Sequence, residues 1–463
     1  MFHWKVKEID LTSLAIEKLT VMKSRASLIT LIALGLCVLT CKEDEKGVDP
    51  AAVSLVEILN QELVPLSADP LQWTDEQLHF LDPAGNRAIV ALGEATHGTS
   101  EFFTAKHRVF KYLVENHGFK IFAIEADFGE SIFINQAVLS SDKSQIETLM
   151  KDKMHFWTWK TNEVRDLLFW MCDYNLGKSE EEKVQYWGVD CQYNTYHPDM
   201  VGDYLEEANV PFIPFAEEVL NQTRAASEYR FSTYTQDVFN TYLKKVNNLK
   251  DSLMKYEVDM IAATSEKEFQ LNLQLLEEIK AVSEVMYYTP KQTSSTKNYR
   301  DEYMAQNTSW LREYFEGAKI VLWAHNFHVS DYRSAGSMGY HLKADFQDSY
   351  ETIGFLFSKG TFMAFTQIGN EYHGLNLQSL EDDPKPGSIN DVLSQASDPV
   401  FTVKLSDLQN HDEWRQAWLE RMEYFHMGAT YTNRPSEYYS VFNAAYFDRL
   451  IYFDRTTAAV PVQ

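Results

Sequence analysis

The sequence predicts an α/β protein whose mostly parallel central sheet is flanked by helices, with a helical insertion subdomain. Short apolar runs rich in β-branched and aromatic residues recur along the chain, as expected of buried parallel strands. Between them lie stretches whose apolar residues recur at helical spacing. The stretch at about 198–295 is instead rich in Leu, Glu, Lys and Gln, which favours helices alone. Hydrophobic residues make up 45% of the 463 residues, so the chain can bury a large core.

Five apolar runs are predicted to form the central strands. They are residues 88–92, 121–124, 184–189, 320–324 and 352–357. The first two flank a helix predicted for 101–116, and Gly118 follows that helix as a suitable C-cap. Strand, helix and strand in this order form a βαβ unit, which implies parallel pairing.

Further elements are predicted from the same patterns. A helix over 164–174 precedes the third strand, and long amphipathic helices over 239–256 and 266–286 lie within the insertion. A last strand is predicted at 450–453. Together these elements predict one domain over residues 56–463.

The beginning of the chain predicts export. Residues 26–40 form an uncharged apolar run that is shorter than the roughly 20 residues of a bilayer span. A short basic stretch beginning at Met22 precedes the run, as in a secretory signal, and makes Met22 a better start than Met1. The run ends at Cys41 in a sequence that resembles a bacterial lipobox. We therefore expect a signal peptide over 1–40, a lipid on Cys41 and a polar tether over 41–55, with a transmembrane anchor or a buried helix as the alternative.

This prediction also gives a location. The protein is expected to be a lipoprotein held at the outer membrane, on its periplasmic or cell-surface face, and to touch the membrane only through the lipid.

The composition argues against two other classes of protein. With 42 basic and 67 acidic residues the net charge is −25, which repels phosphate backbones and argues against nucleic-acid binding. Four cysteines are too few for a disulfide scaffold, and Cys172 and Cys191 are expected to be buried thiols.

Residues capable of acid–base chemistry follow four of the predicted strands. They are Glu94 and His97, then Glu125, then Asp190, then His325 and His328. In open α/β sheets, ligands bind beyond the carboxyl ends of the strands. If these strands are parallel and adjacent, the six side chains meet in one pocket.

The residue types indicate water activation. His97 can accept a proton near neutral pH, and either Glu94 or Glu125 could orient its ring. The sequence contains no GxSxG nucleophile motif, so water is the simplest nucleophile. His325, with Lys106 or Arg108, would stabilise an oxyanion.

Four residues are predicted to contact the substrate. A metal site formed by the same acids and histidines is the alternative. Lys106, Arg108, Asp190 and His328 form the predicted substrate-binding set. The acids and histidines also include the ligand types of a zinc or iron site. Their spacing is not HExxH and they follow strands, so no metal and no cofactor are predicted.

Around these residues the chain resembles the erythromycin esterase family. The matching stretches are residues 93–128, 186–190, 298–311, 321–330 and 338–362. The resemblance implies a hydrolase that opens a macrolide lactone by water attack, with His97 as the base and Glu94, Glu125 and His325 as further essential residues. Lys106 stands where the family often has arginine, and lysine loses the two-pronged geometry of a guanidinium.

The predicted function is therefore the hydrolysis of a carboxylic ester of a small molecule. A macrolide lactone is one candidate substrate, which would give a role in antibiotic resistance. Two alternatives remain open: a metal-dependent hydrolase that uses the same residues, and a non-catalytic surface lipoprotein that binds a ligand.

Overall fold

The computed structural model describes residues 50–226, 230–291, 298–369 and 371–462, all within one compact unit. The predicted signal peptide, Cys41 and most of the predicted tether lie outside these residues. Within these ranges the chain forms twelve strands. They are β1 (Val64–Pro65), β2 (Ile89–Leu92), β3 (Ile121–Asp127), β4 (Gln185–Asp190), β5 (Ile320–Trp323), β6 (Tyr350–Ile368), β7 (Glu371–Leu380), β8 (Val400–Lys404), β9 (Glu423–Phe425), β10 (Thr430–Tyr431), β11 (Tyr439–Val441) and β12 (Arg449–Thr456).

Ten of these strands form the central sheet, and the predicted parallel core is confirmed. Along the sheet the order is β1-β8-β12-β6-β2-β5-β3-β4, with β7 and β10 also paired to β6. Within the run β12-β6-β2-β5-β3-β4, each strand is parallel to the next. Antiparallel pairs occur toward the other edge, where β8 joins β1 and β12, and where β7 joins β6.

The described residues also form seventeen α-helices. They are α1 (Pro50–Glu62), α2 (Asp75–Leu78), α3 (Ser100–His117), α4 (Phe128–Leu139), α5 (Lys143–Lys153), α6 (Asn162–Asn175), α7 (His197–Glu207), α8 (Ile213–Ala226), α9 (Gln236–Lys255), α10 (Glu257–Ala263), α11 (Glu266–Tyr288), α12 (Tyr299–Tyr314), α13 (Asn326–Val329), α14 (Met338–Phe346), α15 (Ile389–Leu393), α16 (Leu405–Leu408) and α17 (Asp412–Leu419). None of the helices in the described ranges is both long and apolar enough to cross a bilayer.

The predicted βαβ unit is present as β2, α3 and β3. Gly118 ends α3 in the left-handed conformation, with φ of 69°, and its N–H donates to the carbonyl of Leu113. A residue with a Cβ is strained in this conformation, which explains the glycine. All residues of β2 and β5 are buried, because helices cover both faces of the sheet at its centre.

Helices α7 through α11 lie in the stretch at about 198–295 for which the sequence predicts a helical insertion. The two long predicted helices are α9 and α11. Helix α11 packs against α7 and α12 and so joins the insertion to the rest of the protein. Gln274 of α11 donates to Asn307 of α12 across this contact, at 2.9 Å.

The strand predicted at 352–357 is longer than expected. β6 continues to Ile368 and turns back into β7. The sequence pattern breaks at Gly360, where φ is 122° and a Cβ would lie 2.1 Å from the carbonyl oxygen of Thr456. The glycine therefore permits a close approach to β12 and does not end the strand.

Candidate active site

The ends of four adjacent parallel strands bring the predicted residues to one edge of the sheet. Leu92 and Ile124 are both in register with Trp323 of the intervening strand β5. The residues that follow these positions therefore lie at one level. The rings of His97 and His325 are 5.2 Å apart, and the backbone N–H of His325 donates to Glu125 at 2.9 Å.

Glu94 holds the ring of His97. The Nδ1 of His97 lies 2.7 Å from Oε1 of Glu94, whose side chain is fully buried. The indole N–H of Trp323 donates to the other carboxylate oxygen at 2.6 Å. With its Nδ1–H directed at Glu94, His97 presents Nε2 as the proton-accepting atom. No described residue hydrogen-bonds Nε2, and the side chain is 14% exposed.

Of the two carboxylates considered for this role, Glu94 makes the contact with His97. Glu125 instead binds Arg300 at 2.7 Å through one oxygen and the N–H of His325 through the other. Burial favours the neutral form of Glu125, but His328 and Arg300 outweigh it and hold the pKa of this carboxyl well below its usual range.

Lys106 lies beneath Glu94 and not at a surface that substrate could reach. Its side chain is fully buried, with Nζ 3.4 Å from Glu94 Oε2. The same Nζ lies 4.5 Å from the ring centre of Phe355 and 4.8 Å from that of Trp323. Burial lowers the pKa of Lys106 to about 8, although Glu94 opposes this effect. By this geometry Lys106 is an internal counter-ion of Glu94, and it does not make the substrate contact that the sequence predicts.

The structure does not bring Arg108 to this group. Its guanidinium donates to the carbonyl of Trp73 at 2.9 Å and to Asp75 at 2.5 Å. Residues 106 and 108 point in directions about 200° apart around a helix, since each residue turns the helix by about 100°. Arg108 therefore points away from Glu94, and its side chain is only 14% exposed.

His325 lies in the group but has both ring nitrogens engaged. The N–H of Phe327 donates to Nδ1 at 3.2 Å, and Nε2–H donates to the carbonyl of Met427 at 3.1 Å. Burial and the neighbouring rings of His97 and His426 hold the pKa of His325 well below its usual range. His325 is therefore neutral and has no N–H left for the predicted oxyanion role.

Arg300, which the sequence analysis did not single out, occupies the centre of the site. Its Nε and one terminal nitrogen donate to the two oxygens of Asp190 at 2.7 and 2.8 Å, which is a forked ion pair. The same terminal nitrogen reaches Glu125, and the side chain is 21% exposed. Asp190, predicted to bind substrate, is fully buried and holds Arg300 instead.

His328 carries a second positive charge beside that of Arg300. Its Nδ1 lies 2.7 Å from Asp301, and its Nε2 lies 3.2 Å from Glu125 and 3.1 Å from Arg300. Burial disfavours the charged ring, but Asp301 and Glu125 outweigh it and raise the pKa of His328 to about 10. The protonated Nε2–H thus donates to Glu125 and only lies beside Arg300.

Comparison with known proteins shows which family the chain resembles. The family described as Erythromycin esterase matches residues 114–456. The chain is 23% identical over 337 residues to the erythromycin esterase type II of Escherichia coli, which covers 67% of this chain and 78% of that protein. The match to the family begins beyond Glu94 and His97, so their pairing is an observation of this structure alone.

Solved structures of other proteins share the fold. A crystal structure of a Bacillus cereus protein superimposes with a TM-score of 0.77 at 23% identity, covering 89% of this chain and 99% of that one. A mutant erythromycin esterase in its open conformation gives a TM-score of 0.65 at 19% identity, covering 85% of this chain and 97% of that one.

Proposed function

Since the chain belongs to the erythromycin esterase family, we propose that it hydrolyses a carboxylic ester of a small molecule with water activated by His97. The observation that carries the proposal is the 2.7 Å pair between His97 Nδ1 and the buried Glu94, which leaves Nε2 free of protein partners among the described residues. This arrangement has the elements of general base catalysis: an oriented imidazole, a carboxylate that stabilises its charged form, and a free basic nitrogen.

The reaction proceeds by addition and elimination. His97 Nε2 takes a proton from water as the water oxygen forms a bond to the ester carbonyl carbon, and the carbonyl electrons move to oxygen. The tetrahedral intermediate then collapses, the bond to the alkoxide breaks, and His97 returns the proton to that alkoxide. One ester and one water thus give one acid and one alcohol, and His97 ends as it began.

Arg300 is our candidate for stabilising the oxyanion. It is a partly exposed cation whose orientation is fixed by the fork to Asp190 and the bond to Glu125. A guanidinium held by buried carboxylates needs no reorganisation when charge develops on the substrate. Lys106 is buried, Arg108 binds elsewhere and His325 has no free N–H, which leaves Arg300 the better supported choice.

Hydrolysis assays test the role of His97. The full-length chain would be assayed with aryl esters and with macrolide lactones, the substrate class suggested by the family. We expect His97→Asn to lower kcat/KM by about 10²- to 10⁴-fold, the usual contribution of a general base. His373→Asn, at an exposed histidine of β7, is the matched control and should keep full activity. Full activity in the His97 variant would overturn the mechanism.

The same assays distinguish the two alternatives. A metal-dependent hydrolase on these residues is disfavoured by the donor set, because Glu94, Glu125 and His325 already bind protein partners and two cations, Lys106 and Arg300, lie beside them. Activity that a chelator abolishes and Zn²⁺ restores, together with bound metal that His97→Asn no longer holds, would nevertheless favour it. No turnover of any ester would favour a ligand-binding lipoprotein.

The location proposed from residues 1–55 is tested separately. If Cys41 is lipidated after export, Cys41→Ala will release the protein from the membrane fraction into the soluble fraction. Wild type and the control Cys172→Ala should both remain with the membrane. Wild type in the soluble fraction would contradict the lipid anchor and leave the hydrolase proposal unaffected.

A further inference from the structure

A second polar cluster lies next to the site, where β3 passes into α4. Asp127, Glu130 and His155 each offer one ligand atom, and these atoms lie within 4.8 Å of one another. Asp127 ends β3, Glu130 lies in the first turn of α4, and His155 follows α5. The hydrolytic mechanism uses none of the three.

The hydrogen bonds of the two acids leave one carboxylate oxygen, on Glu130, without a partner among the described residues. Asp127 Oδ1 accepts the N–H groups of Gly129 and Glu130 and so caps α4, whereas Oδ2 has a 3.3 Å contact with the N–H of Tyr193. Glu130 Oε2 lies 2.7 Å from the N–H of His155 and 2.6 Å from its Nδ1. Glu130 Oε1 is buried and has no hydrogen-bond partner in the described ranges, in a side chain only 1% exposed.

A buried oxygen of this kind needs a hydrogen bond, a proton or a cation. Burying a carboxylate oxygen without a hydrogen bond costs several kcal/mol in an apolar interior, so such atoms are usually paired. In the part of the chain that the structure describes, no lysine or arginine forms an ion pair with Asp127 or Glu130. Asp190 faces Asp127 in the strand register and adds negative charge, while Arg300 is already committed to Asp190 and Glu125.

We propose that Asp127, Glu130 and His155 bind one divalent transition-metal ion, such as Zn²⁺, that stabilises the fold. One carboxylate oxygen each of Asp127 and Glu130, together with Nδ1 of His155, would be the ligand atoms. Two carboxylates and one imidazole form a donor set that Zn²⁺ accepts.

The surroundings of His155 fit this role. Its Nε2 lies 2.8 Å from Thr195 Oγ1, so Nε2–H can donate there. The ion would then take the place of the proton that Nδ1 shares with Glu130 Oε2 at 2.6 Å. Metal-binding histidines usually have their second nitrogen fixed by such a hydrogen bond. The ring stacks on Tyr193 with centroids 4.1 Å apart, and its side chain is 18% exposed, which gives the ion a path from solvent.

An ion at this position would join two segments of the chain directly and a third through hydrogen bonds to its ligands. These are the β3–α4 junction, the segment 154–161 and the segment 191–196. Trp159 in the second segment donates its indole N–H to the carbonyl of Glu125 at 2.9 Å and packs edge-on against His97, with centroids 6.4 Å apart. The ion therefore stabilises one wall of the site without contacting the reacting atoms.

Metal binding is tested directly on the full-length chain, without reference to activity. After treatment with a chelator and its removal, Zn²⁺ is added and bound metal is measured by equilibrium dialysis with elemental analysis. We expect one Zn²⁺ per chain and a rise in Tm on saturation. Glu130→Gln and His155→Asn should each weaken binding by more than roughly 100-fold, and Thr195→Val by roughly 10- to 100-fold, as expected for loss of the group that orients a ligand.

Two controls separate this site from the His97 group. His97→Asn and Glu180→Gln, the latter at an exposed acid, should bind Zn²⁺ as tightly as wild type. The proposal is overturned if wild type binds no Zn²⁺, if Glu130→Gln binds it unchanged, or if His97→Asn loses it. Thr195 is exposed, so its variant tests the site even where a substitution of the buried Glu130 prevents folding. Since the readout is bound metal, the result does not depend on whether the protein is an esterase.

Discussion

Replacing Lys106 with methionine is expected to stabilise the protein at neutral pH. The side chain is fully buried, and its pKa falls from 10.5 to about 8 because burial disfavours the charge. At about 1.4 kcal/mol per pKa unit, this shift means that folding with a charged Lys106 costs about 3 kcal/mol. The attraction to Glu94 is already contained in the lowered pKa. Methionine keeps the length of the chain and removes the charge, so it removes this cost.

The effect depends on pH with a definite sign. Below about pH 8 the folded and unfolded chains both hold the proton, so the whole cost is present. Between pH 8 and 10.5 the folded protein releases the proton before the unfolded chain does, and the cost disappears. The advantage of Lys106→Met over wild type is thus largest below pH 8 and vanishes near pH 10.5. Because other groups titrate in this range, the difference between the two proteins is the quantity to follow.

Urea unfolding of both proteins at several values between pH 6 and 10.5 measures this difference. Lys111→Met is the matched control, because Lys111 lies on the same helix with its side chain 40% exposed, and it should change stability by less than about 0.5 kcal/mol. A Lys106→Met protein less stable than wild type at pH 7 would refute the reasoning. That result would mean that the ion pair with Glu94 outweighs the desolvation of the lysine.

Three further predictions concern other parts of the structure. His328→Asn should be less stable than wild type at pH 7, and the difference in stability should shrink toward pH 10. The raised pKa of His328 stabilises the fold fully below pH 6.5, and this stabilisation is lost as the pH rises through about 10. A difference in urea unfolding that does not depend on pH would contradict this prediction. Arg300→Lys loses the fork to Asp190 and should lower kcat by about 10²- to 10³-fold with an unchanged circular dichroism spectrum; an unchanged kcat would remove Arg300 from the mechanism. Gly118→Ala should cost about 1–2 kcal/mol in urea unfolding because of the left-handed C-cap, and an unchanged midpoint would show that the helix end adjusts.

Local patterns predicted the centre of the sheet well, because buried parallel strands leave a strong trace in sequence. Four strand ends carried the acids and histidines, and parallel pairing was enough to bring them together. Two strands that pair antiparallel, β1 and β7, were missed for a physical reason. β7 is mostly exposed and polar, and β1 is only two residues long, so neither forms an apolar run.

The site was harder to predict wherever a residue came from outside the strand ends. Arg300 enters from the first turn of α12, separated by 175 residues from Glu125, and no local pattern links the two. Lys106 is different, because its burial was readable. It lies three or four residues from Phe102, Phe103, Val109 and Phe110, on the apolar face of α3, so helical periodicity alone points it inward.

The contact between His325 and Met427 has a consequence for how the protein is made. The carbonyl of Met427 accepts the Nε2–H of His325, and its N–H donates to Ala95, so a segment late in the chain completes the surroundings of His97. Shortly afterwards β12 enters the sheet beside β6, with neighbours on both sides. Because chains emerge from the ribosome N-terminus first, Glu94 and His97 are synthesised more than 300 residues before the group that surrounds them can close. A nascent chain, or one cut short before residue 427, therefore carries the base but not the assembled site.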